Sequence, residues 1–169
     1  MTIRLKHYRQ APGLCGPASL KILLTNYGKE YSEEELAELC DATVDYGTEH
    51  EGLIQAVKKI GGYCFAKEDA TVEDLRYFVK KEIPVIVGWW SEDGDHYSVL
   101  YNIDEKNVYL MDPQLEIEEG GTEVKMPIHQ FDSLWYDFEG KNNDRKVLHW
   151  FMAVTLSPEK FDVTGGKYY

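Results

Sequence analysis

Around Pro84 the apolar residues stop recurring with a helical period and begin to alternate, so helices are gathered in the first half of the chain and strands in the second. Ala18, Leu20, Ile22, Leu23, Leu24 and Tyr27 form one helical stripe, with Pro17 in its first turn and Gly28 at its C-terminal end. Ser32 with Glu35, and Thr48 with Glu51, are capping-box pairs ahead of two further stripes, the second of which closes at Gly61-Gly62. A strand around Cys64 and a fourth helix opening near Thr71 follow. Beyond Pro84, PVIVGWW, HYSVLYNI and VYLMDP read as a three-strand meander joined by the turns SEDGD and DEKN. A loop rich in Glu and Gly (116–123) leads to a short helix within MPIHQFDSLWYDF, and RKVLHWFMAVTL reads as a closing strand. Helices segregated before antiparallel strands predict an α+β domain rather than a βαβ array. Residues 1–160 are expected to form a single domain, and 161–169, with Gly165-Gly166, a flexible tail.

At 169 residues and 43 % hydrophobic positions the chain is long enough for one sizeable core. Its formal charge of −12 disfavours nucleic acid and anionic lipid as partners. The N-terminal MTIRLKHYRQ lacks the apolar run of a signal peptide, and no stretch nears the roughly 18 apolar residues of a membrane span. A cytoplasmic protein without a membrane segment is expected. Three cysteines without C-x-x-C spacing argue against both a disulfide framework and a zinc knuckle. Cys40 and Cys64 fall in apolar patterns and are expected to be core thiols. Cys15 stands instead where QAPGLCGPAS turns into the first helix.

A thiolate at a helix N-terminus is stabilised by unpaired backbone N–H groups and by the positive end of the macrodipole. The Cys15 N–H can also donate to an oxygen forming beside the sulfur, and the Gln10 amide, five residues upstream, could supply a second donor. Such a nucleophile needs a base, and His96 is the best placed of five histidines: it follows a tight polar turn and opens the apolar strand HYSVLY. His7 lies in a charged stretch, His50 on the charged face of a helix, and His129 and His149 in late segments without an adjacent acid. A neighbouring strand ends in Met111-Asp112-Pro113, whose carboxylate can orient an imidazole. Trp89 and Trp90 precede the turn that delivers His96, so one could wall a substrate groove while the other points inward.

The order of Gln10, CGPAS with its apolar helix, GTEHEGLIQAVKKIG, PVIVGWW, DHYSVL and YLMDP resembles the papain-like cysteine peptidases that mature bacteriocins, which cut after a Gly-Gly pair in a leader. The resemblance runs from about Gln10 to Pro113. It implies a papain-like fold, helical half packed on sheet, with Cys15 as nucleophile, His96 as base, Asp112 as orienting acid and Gln10 as oxyanion donor. A peptide or protein substrate is implied, with no metal or cofactor. Transporter-fused members carry an acidic residue before the cysteine, where Leu14 stands here, and no membrane domain follows, so a stand-alone member is expected. Acyl transfer of the phytochelatin-synthase type and a non-catalytic peptide-binding module are the alternatives. The Gly165-Gly166 tail could act as a pseudo-substrate or be a plain flexible end.

Overall fold

The computed structural model describes residues 2–116 and 121–169; part of the acidic loop expected over 116–123 lies outside the described residues, at 117–120. Three helices come first, α1 (Cys15–Thr25), α2 (Glu33–Leu39) and α3 (His50–Lys59), then β1 (Tyr63–Lys67) and α4 (Val72–Lys80). The meander follows as β2 (Val85–Ser91), β3 (Gly94–Ile103) and β4 (Asn107–Met111). The chain closes with β5 (Glu123–Pro127), α5 (Ile128–Leu134), β6 (Tyr136–Glu139), β7 (Arg145–Leu148), β8 (Phe151–Thr155) and β9 (Lys167–Tyr168). The main sheet has the order β5-β4-β3-β2-β8-β1-β9, with its neighbours antiparallel, and β6 pairs with β7 in a separate hairpin.

Alternation along the strands gives the sheet two apolar faces. On one, Ile86, Val99, Met152 and Val154 pack with Leu20, Leu23 and Leu24 of α1 and Leu53 and Val57 of α3. On the other, Val85, Val87, Leu100 and Phe151 pack with Leu75 and Phe78 of α4 and Phe131 of α5. Each fully buried side chain of this size contributes about 1.5–3 kcal/mol of transfer free energy before chain entropy is set against it. Cys40 and Cys64 are buried in the first cluster. Among the described residues no helix is long and apolar enough to cross a membrane.

Three local expectations are corrected. Ser32 and Glu35 do form a capping box on α2, as Thr71 and Asp74 do on α4, but Thr48 and Glu51 do not. Helix α3 starts at His50, and the threonine Oγ1 has no partner. The His50 N–H donates instead to Glu139 Oε2 at 3.1 Å, a cap supplied from β6. RKVLHWFMAVTL is two strands, because His149 adopts a φ of +52° and turns the chain from the β6–β7 hairpin into the middle of the main sheet. Segment 161–169 is not a loose tail: Ala66 pairs with Lys167 and Phe65 with Tyr168, while Cys64 and Tyr169 exchange two backbone hydrogen bonds of 3.2 and 2.9 Å. Aromatic packing drives this docking, with Phe161 4.8 Å from Phe78 and Tyr168 5.0 Å from Phe65 between ring centroids.

Candidate active site

Cys15 is the first residue of α1 and half-buried. Leu14 precedes it with a φ of −109° and no side chain caps this end, so the first-turn N–H groups are not consumed by a capping oxygen. Gly16 comes so close to Thr48 that a Cβ would lie 2.7 Å from the threonine side chain, and a Cβ on Gly13, at φ +76°, would lie 2.6 Å from the Val44 carbonyl. These two glycines let the Cys15 turn press against the segment 44–48.

Pairing of β3 with β4, Val99 opposite Met111, brings the start of one strand beside the end of the other. His96 Nε2 thereby lies 2.6 Å from Asp112 Oδ1, and both residues are buried. The Gln114 N–H donates to the same Asp112 oxygen at 2.9 Å, and His7 Nε2 donates to the Asp112 carbonyl at 2.8 Å. With Nε2 engaged, Nδ1 is the nitrogen left to face the Cys15 thiol, which is near enough to help raise the ring's pKa. Burial opposes the charge on His96 more strongly than any other single influence. The Asp112 hydrogen bond, the Cys15 hydrogen bond and the charges of both partners together outweigh it, and the imidazole is pushed up to about 10.

Gln10 is tied to this corner by its backbone, whose N–H donates to the Pro113 carbonyl at 2.8 Å. Its side-chain Nε2 reaches only the Ala11 carbonyl at 3.4 Å, and Oε1 is buried without a partner. Glu33, buried at the start of α2, accepts from the Ala11 N–H at 3.0 Å and so holds the loop between Gln10 and Cys15. The tryptophans divide as alternation requires. Trp89 is 6 % exposed, donates to Ser98 Oγ at 3.0 Å and meets the His96 ring edge-on at 5.8 Å, so it is the inward-pointing member of the pair. Trp90 is half-buried and stacks on Tyr136 at 5.6 Å.

The other histidines lie elsewhere. His129 is exposed on α5, and His149 stacks on Trp135 at 4.6 Å and donates to the Ala70 carbonyl. His50 is not on a charged outer face: it is buried against Trp150, with Asp137 and Glu139 beside it. His7 and Glu33 were not marked by any sequence pattern, since both act on loops that only the folded chain brings together.

Thiol reactivity gives a direct check. Burial raises the Cys40 and Cys64 thiols to about 12, leaving about one thiolate per million at pH 6, whereas Cys15 sits beside a protonated imidazole. Brief iodoacetamide treatment at pH 6 followed by peptide mapping is expected to label Cys15 well ahead of the other two, and His96→Ala is expected to slow that labelling. Equal labelling of the three would contradict the placement of Cys15.

The sequence model of the peptidase C39 family matches residues 7–138. The chain is similar to an uncharacterized protein of Methanothermobacter thermautotrophicus, 40 % identical over 101 residues that make up 60 % of this chain and 66 % of that protein. It is also similar to the transport/processing ATP-binding protein ComA of Streptococcus pneumoniae, 30 % identical over 135 residues. That alignment takes in 77 % of this chain but 18 % of ComA, so the chain spans about two thirds of the first relative and under a fifth of the second. Among solved structures, the peptidase domain of Streptococcus ComA superimposes with a TM-score of 0.68 at 23 % identity, covering 93 % of this chain and 99 % of that one. A double glycine motif protease from an AMS/PCAT transporter, in complex with its leader peptide, gives 0.62 at 20 %, covering 90 % and 92 %. The fold is therefore the α+β, papain-like one of these peptidase domains.

Proposed function

The chain belongs to the peptidase C39 family, and from that premise we propose that it is a cysteine peptidase that cuts a leader or precursor peptide after a Gly-Gly pair. The observation that carries the proposal is one imidazole, His96, bonded to Asp112 through Nε2 at 2.6 Å, with the Cys15 thiol among the groups that raise its pKa. Cys15 attacks the scissile carbonyl as a thiolate, and the C–O π pair moves onto the oxygen. That oxyanion accepts from the Cys15 N–H and from the Gln10 amide, for which a half-turn of the side chain puts an N–H where the buried, unpartnered Oε1 stands. The tetrahedral intermediate collapses with cleavage of the C–N bond while His96 gives its proton to the leaving amine, and a thioester remains on Cys15. Water then attacks the thioester as His96 takes one of its protons, the C–S bond breaks to return the Cys15 thiolate, and the freed acid loses its proton to solvent and leaves as the carboxylate. Asp112 keeps the ring oriented and favours its charged form throughout.

Gly-Gly selection is inferred from the relatives and tested with matched peptides. A groove that selects residues without side chains works by excluding a Cβ, and half-buried Trp90, stacked on Tyr136, is the candidate wall. Paired peptides differing only as Gly-Gly or Ala-Ala before the scissile bond are expected to give cleavage of the first by at least about tenfold in kcat/KM, a step of roughly 1.4 kcal/mol. Equal cleavage of both would remove the double-glycine preference, and cleavage of neither by wild-type protein would remove the peptide substrate class.

A further inference from the structure

Away from Cys15, a second set of buried polar groups stands where α3 meets the β6–β7 hairpin. His50 opens α3, and Asp137 and Glu139 occupy alternate positions of β6, hence one face of that strand. All three are buried, at 5 %, 3 % and 8 % exposure. His50 Nε2 lies 2.6 Å from Asp137 Oδ2 and 3.3 Å from Glu139 Oε1, one nitrogen facing two carboxylate oxygens. The imidazole is held flat against Trp150, with centroids 3.9 Å apart and planes 10° apart, so its direction is set by packing. Asp137 is set from the other side: a Cβ on Gly88 of β2 would collide with its Oδ2, so the glycine makes room for this carboxylate.

A histidine–carboxylate hydrogen bond leaves much of this cluster unexplained. One N–H at Nε2 cannot serve two carboxylates equally well, and Asp137 Oδ1 and His50 Nδ1 are buried with no partner at all. Glu49 also approaches Glu139, and Asp95 lies near Asp137, so four carboxyl groups gather around one imidazole. Two of them, Asp137 and Glu139, are buried, and buried carboxylates are ordinarily paired or bound to metal.

We propose that His50, Asp137 and Glu139 bind one divalent transition-metal ion of the zinc class. Their donor atoms lie within 4.8 Å of one another. Bonds of about 2.0–2.2 Å to a tetrahedral ion set its ligands roughly 3.3 Å apart, so Glu139 Oε1 already has the spacing to His50 Nε2 and Asp137 must withdraw by less than an ångström. An imidazole with two carboxylates favours such an ion over magnesium or calcium, which take oxygen donors. The ion's double charge offsets the two buried carboxylates of Asp137 and Glu139. His50 and Glu139 also line a cavity of about 660 Å³, with Glu49 and Trp150 in its wall, which provides an entry and room for a water ligand. Bound there, the ion ties α3 to β6, and the segment before α3 is the one that presses on Gly16 beside Cys15.

The test uses the full chain carrying Cys15→Ala, stripped with EDTA and titrated calorimetrically with Zn²⁺ alone. One ion per chain is expected, and His50→Ala or Glu139→Gln in that background should weaken binding by 10- to 100-fold or more, at least the loss caused by removing an outer partner of a metal ligand, roughly that range. Because His50→Ala also removes the stack on Trp150, a second measurement leaves the cluster intact: the Cys15-containing protein loaded with Co²⁺ should show visible ligand-field bands without a thiolate charge-transfer band. No uptake at millimolar Zn²⁺, binding unchanged in both variants, preference for Mg²⁺ or Ca²⁺, or a thiolate band would each overturn the site.

Discussion

Replacing His96 with alanine is expected to slow cleavage of a Gly-Gly peptide by roughly 10⁴-fold or more, the scale on which the loss of one member of a nucleophile, base and acid set acts. Cys15 keeps its place at the head of α1 but loses both the proton acceptor for its thiol and the donor for the leaving amine. Asp112→Asn should be milder, roughly 10²- to 10⁴-fold, because an amide still bonds the ring but does not stabilise its charge. The two variants differ in a second way that activity alone does not show. The Asp112 hydrogen bond and charge help hold His96 up to about 10, so in Asp112→Asn the imidazole should titrate lower, nearer the ordinary 6.5. A histidine raised in the folded state adds stability that is fully present below pH 6.5 and is lost as pH rises through about 10. Denaturant melts at pH 6 and pH 10 should therefore differ more for wild type than for Asp112→Asn. Full activity in His96→Ala would remove the base assignment, and no neighbour stands ready to inherit it: His149 is held by Trp135 and Ala70, and His50 by Trp150 and Asp137.

Cys15, His96 and Asp112 could be picked out from the sequence because each lies where a local pattern changes. Cys15 stands at the loop-to-helix junction, His96 just after a polar turn, and Asp112 at a strand exit before proline. Such boundaries are set by local chemistry, and a meander of short turns brings neighbouring strand ends together without any long-range information. His50 shows the opposite case. Glu51 and Gln55 beside it make its helix face look solvated, and the element that covers it, β6, arrives 87 residues later. The same remoteness hid the cap on α3, since Glu139 outcompetes Thr48 only in the folded chain. In RKVLHWFMAVTL apolar alternation runs straight through His149, and the left-handed turn there is imposed by the stack on Trp135 and the bond to Ala70 rather than by any turn-forming residue.

Removing residues 161–169 is expected to lower stability by about 3–5 kcal/mol, where a loose tail would cost nothing. The deletion strips Phe161 from Phe78, Phe65 and Tyr77, and Tyr168 from Phe65. A fully buried aromatic ring contributes about 1.5–3 kcal/mol, but Phe161 is half-buried and Tyr168 is 42 % exposed, so together they supply about 2–3. The two hydrogen bonds between Cys64 and Tyr169, with the β1–β9 pairing, add about 1 kcal/mol each at most, less the entropy of ordering the segment. For a chain of this length 1 kcal/mol moves the melting temperature by about 2–4 °C, so thermal unfolding of the 1–160 protein should shift down by roughly 10 °C. Gly166→Ala separates docking from mere chain length: a Cβ there would run into the Phe65 ring, so this single methyl should reproduce part of the loss. Deletion also bares the β1 edge, whose unpaired N–H and C=O groups would then invite association, visible as concentration-dependent melting. An unchanged melting temperature in both proteins would return the segment to a flexible end and reopen Gly165-Gly166 as a self-substrate, whereas the docked strand keeps that pair against Lys67 and Phe65.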